Sequence, residues 1–171
     1  MNTATHNWLK KCRDRLDSLP IDNEDSAVYF APDIPRNKFD ALSYHSEDVS
    51  YQDVLILVDD TFFGGSKDGI ILTKNTFFSH TMFEDSGKGV QTNPNLLIHR
   101  DSKEIFIDNE KFYAFGVVEG EEVVILVDFM QEICAWKERK TSVKTDNLLV
   151  NCHGCGAPLN SNICDYCGRM N

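Results

Sequence analysis

Four cysteines near the end of the chain have the spacing of a metal site. Cys152 and Cys155 form one C-x-x-C pair, and Cys164 and Cys167 form a second, with eight residues between the pairs. Two residues between thiolates let one tight turn aim both sulfurs at a single point. Gly156 and Gly168 follow the second cysteine of each pair and allow backbone N–H groups to approach the sulfurs. Two such knuckles supply four soft ligands in a tetrahedron, which suits Zn²⁺; the same sulfur set also accepts iron. A redox C-x-x-C is a single pair at a helix start, which disfavours that chemistry here. Disulfides are disfavoured because the first residues, 1–6, lack the basic and apolar regions of a secretion signal. A shell of four thiolates leaves no open coordination position, so the expected zinc is structural. A segment of this length has almost no core, so the metal must supply its folding energy.

Residues 151–171 resemble the short zinc ribbons found at the ends of bacterial multidomain proteins, with Cys155-Gly156-Ala157-Pro158-Leu159 as a typical phrase. That resemblance implies an interaction or stability module. In residues 141–171, Lys144 and Arg169 are balanced by Asp146 and Asp165. Zinc with four thiolates adds a charge of about −2. Such a ribbon is a poor phosphate binder, and protein contact is the expected role.

Other residues invite chemistry but lack a fixed arrangement. His45, His80 and His99 with the pair Asp59-Asp60 have the types needed for acid–base work, yet nothing in their spacing brings them together. Gly64-Gly65-Ser66-Lys67 hints at a phosphate loop, but the full spacing is absent and a strand follows instead of a helix. The reading favoured there is a hairpin turn that needs glycines. No nucleophile elbow, HExxH or Walker motif is present. The chain therefore reads as a non-enzyme, with an enzyme of unfamiliar site as an alternative.

The positioning elements follow from periodicity. Residues 5–19 place Trp8, Leu9, Cys12, Leu16 and Leu19 on one helical face, with Thr5 as the expected N-cap and Pro20 as the stop. A second short helix is expected over 37–45. Residues 53–61 carry the unbroken run Val54 to Val58 of a strand buried on both faces. Strands over 70–73, 76–83, 96–99, 104–107 and 111–118 are joined by short turns, which predicts a curled antiparallel meander. In 121–140 the apolar period becomes helical, through Val123, Leu126, Val127, Met130, Ile133 and Cys134, widened by Ile125, Phe129 and Trp136. That helix is expected to plug the open end of the sheet. Cys12 and Cys134 are expected to be buried thiols.

The stretch from Asp59-Asp60-Thr61-Phe62-Phe63-Gly64-Gly65 through Ser66-Lys67-Asp68-Gly69 to Ile70-Ile71-Leu72-Thr73, with Phe77 and Phe78 beyond it, resembles bacterial proteins with pleckstrin-homology-like domains. The resemblance spans about 39–140 and implies an antiparallel β-barrel closed by a C-terminal helix, a recognition scaffold with no shared catalytic apparatus. Members that bind phosphoinositides use a basic pocket at the first hairpin. Here Lys67 is its only basic residue, against Asp59, Asp60 and Asp68. A protein or peptide ligand is expected instead, bound by strand addition to a sheet edge or through Phe62, Phe63 and Lys67.

The whole-chain numbers agree. The 171 residues carry a formal net charge of −10, which opposes nucleic-acid binding unless positive charge is segregated. Lys10, Lys11, Arg13 and Arg15 alternate with acids, as do Lys137, Arg139 and Lys140. No apolar run is long enough to span a membrane, and a cytoplasmic location is expected. The expected fold class is α+β. Residues 1–36 form an N-terminal helical element, 37–140 the pleckstrin-homology-like domain, 141–150 a linker and 151–171 the zinc ribbon. The expected function is a non-catalytic protein-interaction or adaptor protein with a structural zinc. The alternative is a nucleic-acid-associated regulator or phage-defence component acting through the ribbon.

Overall fold

The structure, a computed structural model, describes residues 1–19, 28–45, 49–61, 65–83 and 86–145, with the side chains of His45 and of 137–145 excepted. Its contacts divide the chain into Met1–Lys137 and Glu138–Asn171. In the second unit, the described part is the backbone of 138–145, the end of the last helix. The expected ribbon, 151–171, lies outside the described residues.

Helix α1 spans Thr3–Asp17 and begins two residues earlier than its apolar pattern predicts. Asn2, in extended conformation, is the cap, and its side chain accepts the Thr5 N–H at 2.9 Å. Thr5 therefore lies within the first turn and is buried with Leu9, Cys12 and Leu16. That face packs on helix α3, Gly120–Thr145, which extends into the expected linker. Trp8 sets its ring edge-on to Phe129 and Trp136, with centroids 5.9 and 4.6 Å away. Trp8 Nε1 and Arg15 donate to Glu132, and Arg15 also reaches Asp128. These ion pairs are more than a third exposed, so each contributes at most about 1 kcal/mol, and apolar burial holds the helices together.

Strand β1, Val28–Phe30, pairs antiparallel with β2, Val54–Asp59. With β3, Gly69–Thr73, β4, Thr76–His80, and β5, Lys88–Gln91, they form a five-stranded sheet in sequential order. The N-terminal stretch thus shares the main core: α1 and β1 bury Leu9, Cys12, Leu16, Val28 and Phe30 in it. A three-residue strand in an acidic stretch gives too little pattern to be read from sequence. A second sheet holds β6, Ile98–Asp101, β7, Glu104–Ile107, and β8, Glu110–Ala114. The expected closed barrel does not form among the described residues; the two sheets are separate hydrogen-bonded ladders.

Every residue of β2, β3 and β4 is buried, and strand alternation explains why. Ile56, Val58, Ile70, Leu72 and Phe77 face the main core. Val54, Leu57, Ile71 and Phe78 face a second core with Ile34, Phe39 and Leu42. Phe39 and Leu42 belong to α2, Arg36–Leu42, which a single 3₁₀ turn, Ser43–His45, continues. A register shift between Val54 and Ile56 lets Leu55 join Ile56 in the main core. Helix α3 fills the main core with Val123, Leu126, Phe129, Met130 and Ile133, beside Ile105, Phe112 and Tyr113 of the second sheet. Cys12 and Cys134 are buried there too. Burial, with Glu132 nearby, pushes the Cys12 thiol up to about 12 despite Arg15, so it is no nucleophile.

Gly69 starts β3 at φ +147°, and a Cβ there would sit 2.0 Å from the Val58 carbonyl oxygen. Gly69→Ala is predicted to cost about 2–4 kcal/mol, read as a lower urea midpoint. An unchanged midpoint contradicts this packing.

Candidate functional site

The end of β2 carries the residues that looked most chemical. Asp59 has the same parity as Leu57 and points toward α2; Asp60 shares the side of Val58 and points toward the main core. Their partners follow from that. Asp59, 3% exposed, accepts from Lys38 Nζ of α2 at 2.5 Å, Ser66 Oγ at 2.6 Å and Thr61 Oγ1 at 2.5 Å. It also accepts the N–H groups of Thr61 and Ser66 at 3.1 and 3.2 Å. Burial opposes its charge, but the bonds from Lys38, Ser66 and Thr61 outweigh burial and hold the carboxyl below its ordinary value. Asp60 accepts the consecutive N–H groups of Gly116, Val117 and Val118 at 2.7, 2.8 and 3.0 Å, and the Tyr113 hydroxyl at 3.2 Å. Burial and then the Asp60 charge raise the Tyr113 phenol well above its ordinary value, so it stays a donor.

The pair is therefore architectural. The phosphate-loop hint resolves the same way. The loop leads into β3, and the Ser66 N–H, which a phosphate would need, is directed at Asp59. Ser66 itself takes positive φ, 50°, and is fully buried. Two of the histidines have described partners of their own. His80 is buried on β4, with Nδ1 2.6 Å from the Lys67 carbonyl oxygen. His99 is exposed on β6 of the other sheet and stacks on Phe106 at 5.2 Å. The His45 side chain lies outside the described residues.

Of the expected contact residues, Lys67 is exposed, and Phe62 and Phe63 lie outside the described residues. The loop before β3 is tied to the loop after β4. His80 meets Lys67, the Met82 N–H donates to Asp68 Oδ1, and the Asp60 N–H donates to the Asp68 carbonyl at 2.9 Å. This corner presents two residues that the apolar pattern of 76–83 places in a strand. β4 ends at His80, leaving Met82 57% and Phe83 93% exposed. The usable signal was the polar run Glu84-Asp85-Ser86-Gly87 directly after Phe83, which marks a loop with its apolar lead-in outside the sheet.

Among the described residues no cluster of three or more His, Cys, Asp or Glu could hold a metal. The zinc reading concerns Cys152, Cys155, Cys164 and Cys167, which lie outside them. No described helix is long and apolar enough to cross a membrane. No protein-family profile, no curated protein and no solved structure matches the chain.

The lowered Asp59 carboxyl has a pH consequence. Its contribution is present above the ordinary value of 3.8 and is lost as pH falls through the lower folded-state value. Asp59→Asn is predicted to lower stability at neutral pH by about 2–4 kcal/mol and to flatten the acid limb of stability against pH. Urea titrations from neutral pH to below 3.8 check both, and a variant with an unaltered acid limb contradicts the assignment.

Proposed function

We propose that the chain is a non-catalytic protein-interaction or adaptor protein. In this reading a pleckstrin-homology-like domain recognises a partner protein, and Cys152, Cys155, Cys164 and Cys167 hold one structural zinc. The observation that carries the recognition reading is the corner at the end of the five-stranded sheet. Its loops are fixed to one another by hydrogen bonds while Phe83 and Met82 project into solvent. An exposed aromatic on a positioned loop is the usual anchor of a protein contact. The aspartate pair supports the non-catalytic reading, because both carboxylates are occupied by bonds that fix loops. Two antiparallel sheets with a long helix after the last strand support the pleckstrin-homology-like assignment.

The zinc reading is supported by donor chemistry: four thiolates in paired two-residue spacing match a closed tetrahedral site. Bound zinc would supply cross-links to a segment too short for a core of its own.

Phe83→Asp is predicted to leave folding intact and to remove a partner that wild-type chain retains on affinity purification from its source cells. Mass spectrometry of matched eluates checks this; equal recovery by both chains removes the corner from the interface. For the metal, reduced protein is predicted to carry one zinc per chain. Cys164→Ser is predicted to lose it while the urea midpoint of Met1–Lys137 stays unchanged. Zinc-free wild type, by elemental analysis, contradicts the site.

A further inference from the structure

Four strands lie at sheet edges: β1 and β5 in the first sheet, β6 and β8 in the second. Three have covers. At β1, Arg13 of α1 lies 5.6 Å from the Phe30 ring centroid and pairs with Asp33, whose N–H donates to the Phe30 carbonyl. At β6, Gln131 of α3 donates to the Ile98 carbonyl at 2.9 Å. At β8, Ser79 donates to the Phe112 carbonyl at 3.0 Å.

β5 is different. The Thr92 N–H donates to the Asn75 carbonyl at 2.8 Å, and the same register pairs Val90 with Phe77 and Lys88 with Ser79. Alternate residues 88, 90 and 92 thus direct their main-chain groups at β4. Gly89 and Gln91 direct N–H and C=O outward, and no described residue bonds those main-chain groups. Lys88, Gly89 and Gln91 are exposed and Val90 is half-buried. An open edge of this kind is a template for another strand.

We propose that a second copy of this chain covers β5, antiparallel, about a two-fold axis through Val90. The edge is complementary to itself in that register. Gly89 faces the partner's Gln91, so every outward N–H and C=O on both copies finds a bond. Val90 faces the partner's Val90 in the close, non-hydrogen-bonded position, a favourable β-branched pair. Lys88 faces the partner's Thr92, so no like charges stand directly opposite. The edge is short, which makes the dimer weak and transient. The net charge of −10 on each copy opposes approach, so salt strengthens this association where it would weaken a charge-driven one. The pairing uses β5 and not the Phe83 corner, so its failure leaves the protein-recognition reading untouched.

The test is sedimentation velocity of the full chain over a range of concentrations, at low and at moderate salt. Wild type is expected to dimerise, more strongly at the higher salt. The double variant Gly89→Lys with Gln91→Lys sets lysine against lysine at both cross-strand pairs and is expected to be monomeric. Gly89→Asp with Gln91→Lys sets opposite charges across the axis and is expected to lower the dimer dissociation constant by roughly fivefold. A Cβ at Gly89 meets only Thr76 Cγ2, at 4.0 Å, and both variants lose the same Gln91 bond to Thr76 Oγ1, so they should share one urea midpoint, which separates a change in dimerisation from unfolding. A wild-type chain that stays monomeric overturns the proposal and leaves the edge to a segment of another protein. A dimer that neither double variant changes also overturns it.

Discussion

A single carboxylate ties the first sheet to the last strand of the second and to the segment that leads into α3. Asp60 leaves the end of β2 and receives three consecutive N–H groups from 116–118, the segment that turns the chain from β8 into α3. A buried carboxylate is costly unless its charge is met by hydrogen bonds, and here four donors meet it. Three successive N–H groups converging on one anion make a backbone nest, close to the positive end of the helix dipole. The chain supplies its own anion to that nest. The direction in which α3 enters the core is thereby tied to the position of β2.

The neighbouring residue does the equivalent work on the opposite side. Successive strand residues point to opposite faces, so Asp59 meets Lys38 of α2 while Asp60 meets the approach to α3. One Asp-Asp dipeptide therefore references both cores to the same strand end. Burial supplies most of the stabilisation around these anchors. Ile56, Leu57, Ile70, Ile71, Leu72, Phe77 and Phe129 are fully enclosed, each contributing about 1.5–3 kcal/mol by removal from water. The hydrogen-bonded carboxylates add direction, which apolar contact lacks.

This use of polar residues shapes the functional reading. Groups that resembled an acid–base set or a phosphate cradle in the sequence are occupied by structural bonds. The proposed recognition role therefore rests on what projects from the same corner, Met82 and Phe83.

Local pattern was sufficient wherever a segment's own residues carry the constraint. The buried runs of β2 and β3, the helical stripe of α3 and the face of α1 were all legible, because periodicity is a property of a few neighbouring residues. Other features depend on residues far apart in the chain. β1 is a strand because β2 offers it a ladder, and β5 is polar enough that only its pairing with β4 defines it. Met82 and Phe83 looked like strand residues until the sheet ended at His80. Asp60 looked reactive until N–H groups more than fifty residues away closed around it. Sequence by itself determined the buried runs of β2 and β3 and the apolar faces of α1 and α3. Tertiary structure decided which strands pair, that the sheets remain two, and which polar groups are satisfied, because a hydrogen bond or a buried face needs a partner that only the folded chain supplies.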